Sequence, residues 1–256
     1  MTEFRSSWTE VGGLRLHDVA STAASGLPVV FVHGLAVSHR YLMPTARQLA
    51  VRHPVLVPDL PGFGRSSKPR RAYDVREHAA CLAAWIEARG LGPVCLAGHS
   101  FGAEVAARVA VNDPGLVDGL VLASPTTDPA ARSRRALIGR WSGDLFVEQP
   151  WQAPILMRDI VEARPWRVLA TVGHSVRNAI EEDLCRLSVR PLVLGGSLDP
   201  VAPLRWLVEA AALSQGVEVT IPGAAHNVLT TSGRRSAAAI AAYLASDVPR
   251  AAVPRH

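Results

Sequence analysis

Short apolar runs rich in β-branched residues alternate along this chain with longer alanine-rich stretches, and this alternation limits the fold strongly. The predicted strands lie at 28–32, 55–57, 94–97, 120–123, 191–194 and 217–221. The predicted helices lie near 40–51, 74–89, 101–111, 203–214 and 233–245. Strands that are apolar throughout and separated by helices are typical of a mostly parallel sheet covered by helices on both faces.

The pattern changes at its start and once in its second half. Residues 7–11 and 14–19 predict an opening hairpin, and residues 125–186 contain short helical pieces without any strand pattern. A chain of 256 residues fits a single core with one insertion. We therefore predict an α/β core of residues 1–124 and 187–246, a helical cap inserted at 125–186, and a flexible tail at 247–256.

Charge and hydropathy exclude several classes of partner. The net charge is +5, but the basic residues are dispersed, so no field of a single sign attracts nucleic acid. The start of the chain lacks the pattern of a signal peptide, and no apolar run reaches the roughly 18 residues that a membrane helix needs. We expect a cytoplasmic protein that binds neither nucleic acid nor membrane.

Cysteine and histidine spacing indicates no metal site. Cys81, Cys95 and Cys185 lie in apolar stretches and form no C-x-x-C pair, so reduced core thiols are expected. The nine histidines show no spacing such as H-E-x-x-H. The sequence therefore predicts no bound metal.

The segment Gly98-His99-Ser100-Phe101-Gly102 lies between a predicted strand and a small-residue helix. A serine on such a sharp turn has a strained backbone, and a glycine two residues away on each side removes side chains that would collide. The hydroxyl is then exposed at the carboxyl end of the sheet, near the positive end of a helix dipole. Ser100 is the predicted nucleophile, and an ordinary strand-to-helix turn with a capping serine is the alternative.

A serine nucleophile needs a base and an acid that orients the base. Asp199 and His226 each lie just past a predicted strand, and the order Ser100, Asp199, His226 is that of the α/β-hydrolase layout. We predict these three as the catalytic residues. Asp128, after the preceding strand, is the alternative acid.

The chain resembles the α/β-hydrolase-fold serine hydrolases, in particular esterase-like members with a lid, over nearly its whole length. The matching motifs are His33-Gly34, the run Asp59-Leu60-Pro61-Gly62-Phe63-Gly64-Arg65-Ser66, the serine turn, Leu198-Asp199-Pro200 and the late His226. Many relatives have glycine where Ala225 precedes the histidine, which affects the expected shape of that loop. The resemblance implies a mostly parallel eight-stranded sheet flanked by helices, an inserted cap and no cofactor.

An oxyanion hole requires backbone N–H groups aimed at the developing negative oxygen. Phe101 follows the nucleophile and is expected to supply one amide, and by resemblance Leu35 supplies the other. For Asp59 and Arg65 we expect a turn held by a pair of their side chains.

Four aromatic residues of the predicted cap are candidates for substrate binding. Trp141, Phe146, Trp151 and Trp166 would line an apolar pocket or form the cap's own packing. The expected partner is therefore a small molecule with an apolar acyl or aromatic group.

These residues together predict a serine hydrolase that cleaves a carboxylic ester, or a related acyl substrate, through an acyl-enzyme on Ser100. The alternative is a C–C bond hydrolase or a non-hydrolytic lyase, acyltransferase or cyclase on the same scaffold. Because the nucleophile is serine and not aspartate, the ester-forming routes of epoxide hydrolases and haloalkane dehalogenases are disfavoured. A binding protein with vestigial chemistry is a further alternative.

Overall fold

A computed structural model describes residues 2–22 and 25–247 of the chain. Its single sheet is built from eight strands. They are β1 (Phe4–Val11), β2 (Leu14–Ser21), β3 (Val29–Val32), β4 (Val55–Pro58), β5 (Val94–His99), β6 (Val117–Ala123), β7 (Leu192–Gly196) and β8 (Val217–Ile221).

Ten α-helices connect or follow these strands in the described residues. They are α1 (His39–Leu49), α2 (Val75–Ala88), α3 (Phe101–Asn112), α4 (Arg134–Asp144), α5 (Ala153–Ala163), α6 (Pro165–Arg177), α7 (Ile180–Leu184), α8 (Leu204–Leu213), α9 (Val228–Thr231) and α10 (Gly233–Ala245). Three short 3-10 turns, Pro114–Leu116, Pro129–Ala131 and Pro150–Gln152, complete the regular structure.

The strands are ordered β1-β2-β4-β3-β5-β6-β7-β8 across the sheet. The hairpin strands β1 and β2 pair antiparallel, as do β2 and β4, whereas every pair from β4 to β8 is parallel. The predicted fold class is therefore confirmed. The hairpin is longer than the predicted ranges 7–11 and 14–19, since all eight residues of β1 pair with β2.

Both faces of the sheet are buried at β3, β4, β5 and β7, which explains why these central strands are mostly apolar. In β3, Val30 and Val32 pack into one core with α2, α3 and α8, while Val29 and Phe31 pack into a second core with α1 and α10. This alternation follows from the two-residue period of a strand. Because β5 to β8 pair in parallel, the carboxyl ends of β5, β7 and β8 lie at the same edge of the sheet.

Helices α4 to α7 occupy the chain between β6 and β7, where the sequence predicts the cap. Two buried contacts attach this segment to the core. The Arg40 guanidinium lies 2.5 Å from Asp159 of α5. Arg167 of α6 donates hydrogen bonds to the carbonyl oxygens of Pro69 and Arg71.

Three further expectations concern the ends of the chain, the thiols and the membrane. The predicted tail at 247–256 lies outside the described residues except for Asp247. Cys95 is buried and Cys81 is half-buried, but Cys185 is exposed because it follows the last turn of α7, which corrects its expected place in the core. Across residues 2–22 and 25–247, the helices are too short or too polar to cross a bilayer.

Candidate active site

The turn between β5 and α3 holds Ser100 in an unusual backbone conformation. Its φ is 54° and its ψ is −120°, a region that side chains rarely adopt. The flanking glycines make the turn possible: a Cβ on Gly98 would lie 2.2 Å from the carbonyl oxygen of Gly102, and a Cβ on Gly102 would lie 2.2 Å from that of Val32. Backbone packing on both sides therefore requires glycine here.

The structure brings Ser100, His226 and Asp199 together, although they come from three separate loops. The Ser100 hydroxyl lies 3.0 Å from His226 Nε2. His226 Nδ1 lies 3.0 Å from Oδ2 and 3.2 Å from Oδ1 of Asp199. With Nδ1 protonated, the imidazole donates to the carboxylate and accepts the proton of the hydroxyl at Nε2.

The acid and the base each favour the charged form of the other. Burial opposes ionisation of Asp199, but the charge and hydrogen bond of His226, with the Ala202 amide, hold the pKa of Asp199 below its usual range. Burial alone would lower the pKa of His226, but the neighbouring Asp199 carboxylate raises this pKa above its usual value. The site thus stabilises an imidazolium at His226.

Asp128, the alternative acid, lies in a different ion-pair cluster. Its Oδ2 lies 2.7 Å from the Arg140 guanidinium and also pairs with Arg205. Burial works against ionisation of Asp128, but the two arginines outweigh it and lower the pKa of this carboxyl. The carboxylate that contacts the His226 ring is that of Asp199.

The backbone amides of Leu35 and Phe101 lie at the edge of the site, where the sequence predicts an oxyanion hole. Phe101 is the first residue of α3, and Leu35 lines the same cavity as Ser100. Neither amide donates a hydrogen bond within the described ranges, 2–22 and 25–247. Their role as an oxyanion hole stays a prediction.

A buried chain of hydrogen bonds, which sequence reasoning missed, supports the loops of the site. The Gly34 amide donates to the Tyr41 hydroxyl at 3.1 Å, and this hydroxyl contacts His99 Nδ1. His99 Nε2 lies 2.8 Å from the carbonyl oxygen of His226. Burial lowers the pKa of His99 to about 3, so the ring is neutral, accepts from Tyr41 and donates to His226.

This chain links the loop after β3 to the loop that carries His226. His99 gave only one sequence signal, its position next to the nucleophile. Nothing in the sequence connects it with Tyr41.

A cavity of about 240 Å³ opens onto Ser100 and His226 beneath α4 to α6. Apolar side chains supply most of its wall. They include Leu35, Val37, Trp141, Leu156, Ile160 and Val168. Of the four aromatic candidates, Trp141 therefore lines this cavity.

The other three aromatic candidates lie outside the cavity, which corrects the pocket-lining expectation for them. Phe146 is 91% exposed, and Trp151 and Trp166 are about half exposed. Trp151 donates to Gln149, and the Trp166 ring lies beside the Arg167 guanidinium. The hydrophobic pattern identified the helices of this segment, but it did not identify the side that faces the sheet.

Asp59 also differs from expectation. Its carboxylate accepts a hydrogen bond from the backbone N–H of Arg65, whose side chain is exposed, so no side-chain pair forms. The carboxylate instead contacts Nδ1 of His17 at 2.8 Å and Nδ1 of His39 at 2.9 Å.

Within the described part of the chain, these three side chains are the group whose atoms lie close enough together to ligate a metal ion. Their ligand atoms already bond to one another, and His17 and Asp59 have no exposed surface. The cluster therefore functions as a hydrogen-bonded tie between β2, α1 and the loop after β4.

Comparison with known families agrees with the fold. A model of the alpha/beta hydrolase fold matches residues 28–151, and a model described as TAP-like protein matches residues 169–251. In a structural comparison, an esterase from Thermogutta terrifontis superposes with a TM-score of 0.79 at 24% identity, over 94% of this chain and 98% of the esterase.

Two curated relatives match over part of their sequences. A soluble epoxide hydrolase from Corynebacterium sp. (strain C12) is 33% identical over 121 residues, which are 47% of this chain and 42% of the relative. A haloalkane dehalogenase from Mycolicibacterium paratuberculosis (strain ATCC BAA-968 / K-10) is 31% identical over 131 residues, which are 50% of this chain and 44% of the relative. The chain thus spans less than half the length of these relatives. With an eight-stranded sheet of this order and two successive family matches, the chain belongs to the alpha/beta hydrolase fold family.

Proposed function

We propose that the protein is a serine hydrolase that cleaves a carboxylic ester or related acyl substrate through a covalent intermediate on Ser100. The observation that carries this proposal is the unbroken hydrogen-bonded series from the Ser100 hydroxyl through His226 to Asp199. A neutral hydroxyl is a weak nucleophile, and this arrangement supplies the base that activates it.

In the first half of the reaction, the Ser100 hydroxyl attacks the carbonyl carbon of the substrate. Its proton passes to His226 Nε2 as the new C–O bond forms, and Asp199 stabilises the resulting imidazolium. The amides of Leu35 and Phe101 bind the negative oxygen of the tetrahedral intermediate. His226 then protonates the leaving alcohol as the ester C–O bond breaks.

In the second half, water replaces the alcohol. His226 takes a proton from the water, whose oxygen attacks the acyl carbon, and then returns a proton to the Ser100 hydroxyl as the acid leaves. Each turnover therefore consumes one water molecule, releases one alcohol and one acid, and regenerates the free enzyme.

Two observations bear on the kind of substrate. The serine at the turn favours acyl transfer, although two relatives are named as an epoxide hydrolase and a haloalkane dehalogenase. The apolar wall of the cavity favours a small molecule with an apolar acyl or aromatic group. The esterase with the same fold has a name consistent with this class.

The test compares Ser100→Ala with Ser142→Ala, which removes a hydroxyl on the exposed side of α4 that bonds the carbonyl of Ile138. The unsubstituted protein and Ser142→Ala are expected to hydrolyse p-nitrophenyl butyrate and to be labelled by a fluorophosphonate. Ser100→Ala is expected to lose both activities. Undiminished labelling of Ser100→Ala would remove Ser100 from this role, and absence of solvent ¹⁸O from the acid product would indicate a non-hydrolytic reaction.

A further inference from the structure

Asp144 places a carboxylate in the wall of the cavity, outside the Ser100, His226 and Asp199 series. It is the last residue of α4 and is only 7% exposed. Within the described residues that line the cavity, Asp144 supplies the one carboxylate, and most of its neighbours are apolar. Burying a charge among apolar groups costs free energy unless a partner compensates.

The partners that Asp144 has in the structure satisfy it poorly. Oδ1 accepts a long hydrogen bond of 3.3 Å from the backbone N–H of His226. Oδ2 has no hydrogen-bond partner within residues 2–22 and 25–247. The carboxylate of Glu148, one turn further on, is better satisfied. One of its oxygens accepts from the backbone N–H of Asn227 and the other from the side-chain amide of Gln152.

The surrounding charges do not explain the presence of Asp144. It stands at the carboxyl end of α4, where the helix dipole disfavours negative charge. Burial, with Glu148 and Asp199 nearby, raises the pKa of Asp144 to about 6, and His226 is the group that opposes this shift. Within the described residues, His226 is therefore the group that compensates the Asp144 carboxylate, and the ring nitrogens of His226 are already engaged by Asp199 and Ser100.

We infer that Asp144 determines substrate specificity by accepting a charged hydrogen bond from a protonated amine in the substrate, next to the scissile acyl group. This inference rests on the proposed acyl-transfer function. The Asp144 carboxylate contacts the backbone of the residue whose ring contacts Ser100, so an amine a few bonds from the reacting carbonyl would lie within reach. The same carboxylate disfavours substrates that carry a negative charge there.

The experiment uses two esters that differ at one position. In 2-(dimethylamino)ethyl butyrate a protonated N–H stands where 3-methylbutyl butyrate has a C–H, so size and shape are matched. The ratio of their kcat/KM values is measured for the unsubstituted protein, for Asp144→Asn and for Asp118→Asn. Asp118 is an exposed carboxylate of β6 and serves as the matched control.

Asp144→Asn is expected to lower the ratio of amine ester to hydrocarbon ester by about tenfold, the effect of losing one charged hydrogen bond. The intrinsic reactivities of the esters cancel in this comparison between proteins. Asp118→Asn is expected to keep the original ratio. An unchanged ratio in Asp144→Asn would overturn the inference.

A second measurement needs no variant. 2-(Dimethylamino)ethanol is expected to inhibit the unsubstituted protein at a lower concentration than 3-methyl-1-butanol, with p-nitrophenyl butyrate as the reporter ester. Stronger inhibition by the hydrocarbon alcohol would contradict the inference. Fluorophosphonate labelling with no amine preference would overturn this inference alone, whereas absence of both labelling and ester hydrolysis would overturn the proposed function as well.

Discussion

At the scale of single residues, the site depends on which carboxylate orients His226. Asp199 Oδ1 accepts hydrogen bonds from the backbone amides of Val201 at 2.8 Å and Ala202 at 2.9 Å. These bonds fix the orientation of the carboxylate independently of its contact with the imidazole. A carboxylate oriented in this way keeps the proton on Nδ1 of His226 and leaves Nε2 free to accept a hydrogen bond from Ser100. Asp128, which has arginine partners instead, cannot influence this tautomer directly.

We predict that Asp199→Asn lowers kcat for p-nitrophenyl butyrate by about 10⁴-fold. The backbone amides of Val201 and Ala202 keep the carboxamide oxygen at the Oδ1 position, so the NH2 group donates to Nδ1 and the imidazole takes the wrong tautomer. Asp128→Asn is the matched control and is expected to keep kcat within a few-fold. Steady-state kinetics of both variants would check this. A larger loss in Asp128→Asn would make Asp128 the acid.

At the scale of elements, the position of Ser100 depends on close packing between β5, α3 and β3. Gly102 lies in the first turn of α3 and faces the backbone of β3 at the residue before His33-Gly34. The absence of a side chain allows α3 to approach the sheet. This approach positions the serine loop beside the loop that contains Leu35.

We predict that Gly102→Ala destabilises the protein by about 2 kcal/mol, the typical cost of an overpacked site, because its Cβ would meet fixed backbone atoms of β3. Gly139→Ala in α4 is the control. No atom lies within 4 Å of the added Cβ there, so a gain of about 0.8 kcal/mol is expected from helix propensity. Urea unfolding measures both values, and equal effects at the two positions would contradict the packing argument.

At the scale of the whole molecule, the helices between β6 and β7 depend on buried ion pairs for their attachment to the core. Asp159 of α5 has no exposed side-chain surface and lies against both Arg40 and the hydroxyl of Ser38, which donates at 2.7 Å. Arg40 also contacts Glu162, one turn further along α5. This cluster holds α5 over α1, and α5 in turn supplies part of the cavity wall.

We predict that Arg40→Ala destabilises the protein by about 3 kcal/mol, because it leaves the Asp159 carboxylate buried without its cation. Arg158→Ala removes an arginine that pairs with the same Glu162 but is 58% exposed, so a loss of about 0.4 kcal/mol or less is expected. Urea unfolding of the two variants provides the measurement. Similar losses from both would show that the buried pair contributes little.

The sequence by itself determined the local features of this protein. Strand apolarity, helix periodicity and the glycines around Ser100 act over a few neighbouring residues, so they predicted the parallel sheet and the serine turn. The chain order of Ser100, Asp199 and His226 was also readable, because the carboxyl ends of parallel strands meet at one edge of the sheet.

Only the tertiary structure decided which distant side chains meet. It placed Asp199 and not Asp128 beside His226, and it left Phe146 exposed while Trp141 lines the cavity. It also brought the Asp144 carboxylate to the loop of His226. These contacts depend on how each helix is rotated against the sheet, which is set by packing between residues remote in sequence and has no signature in a local pattern.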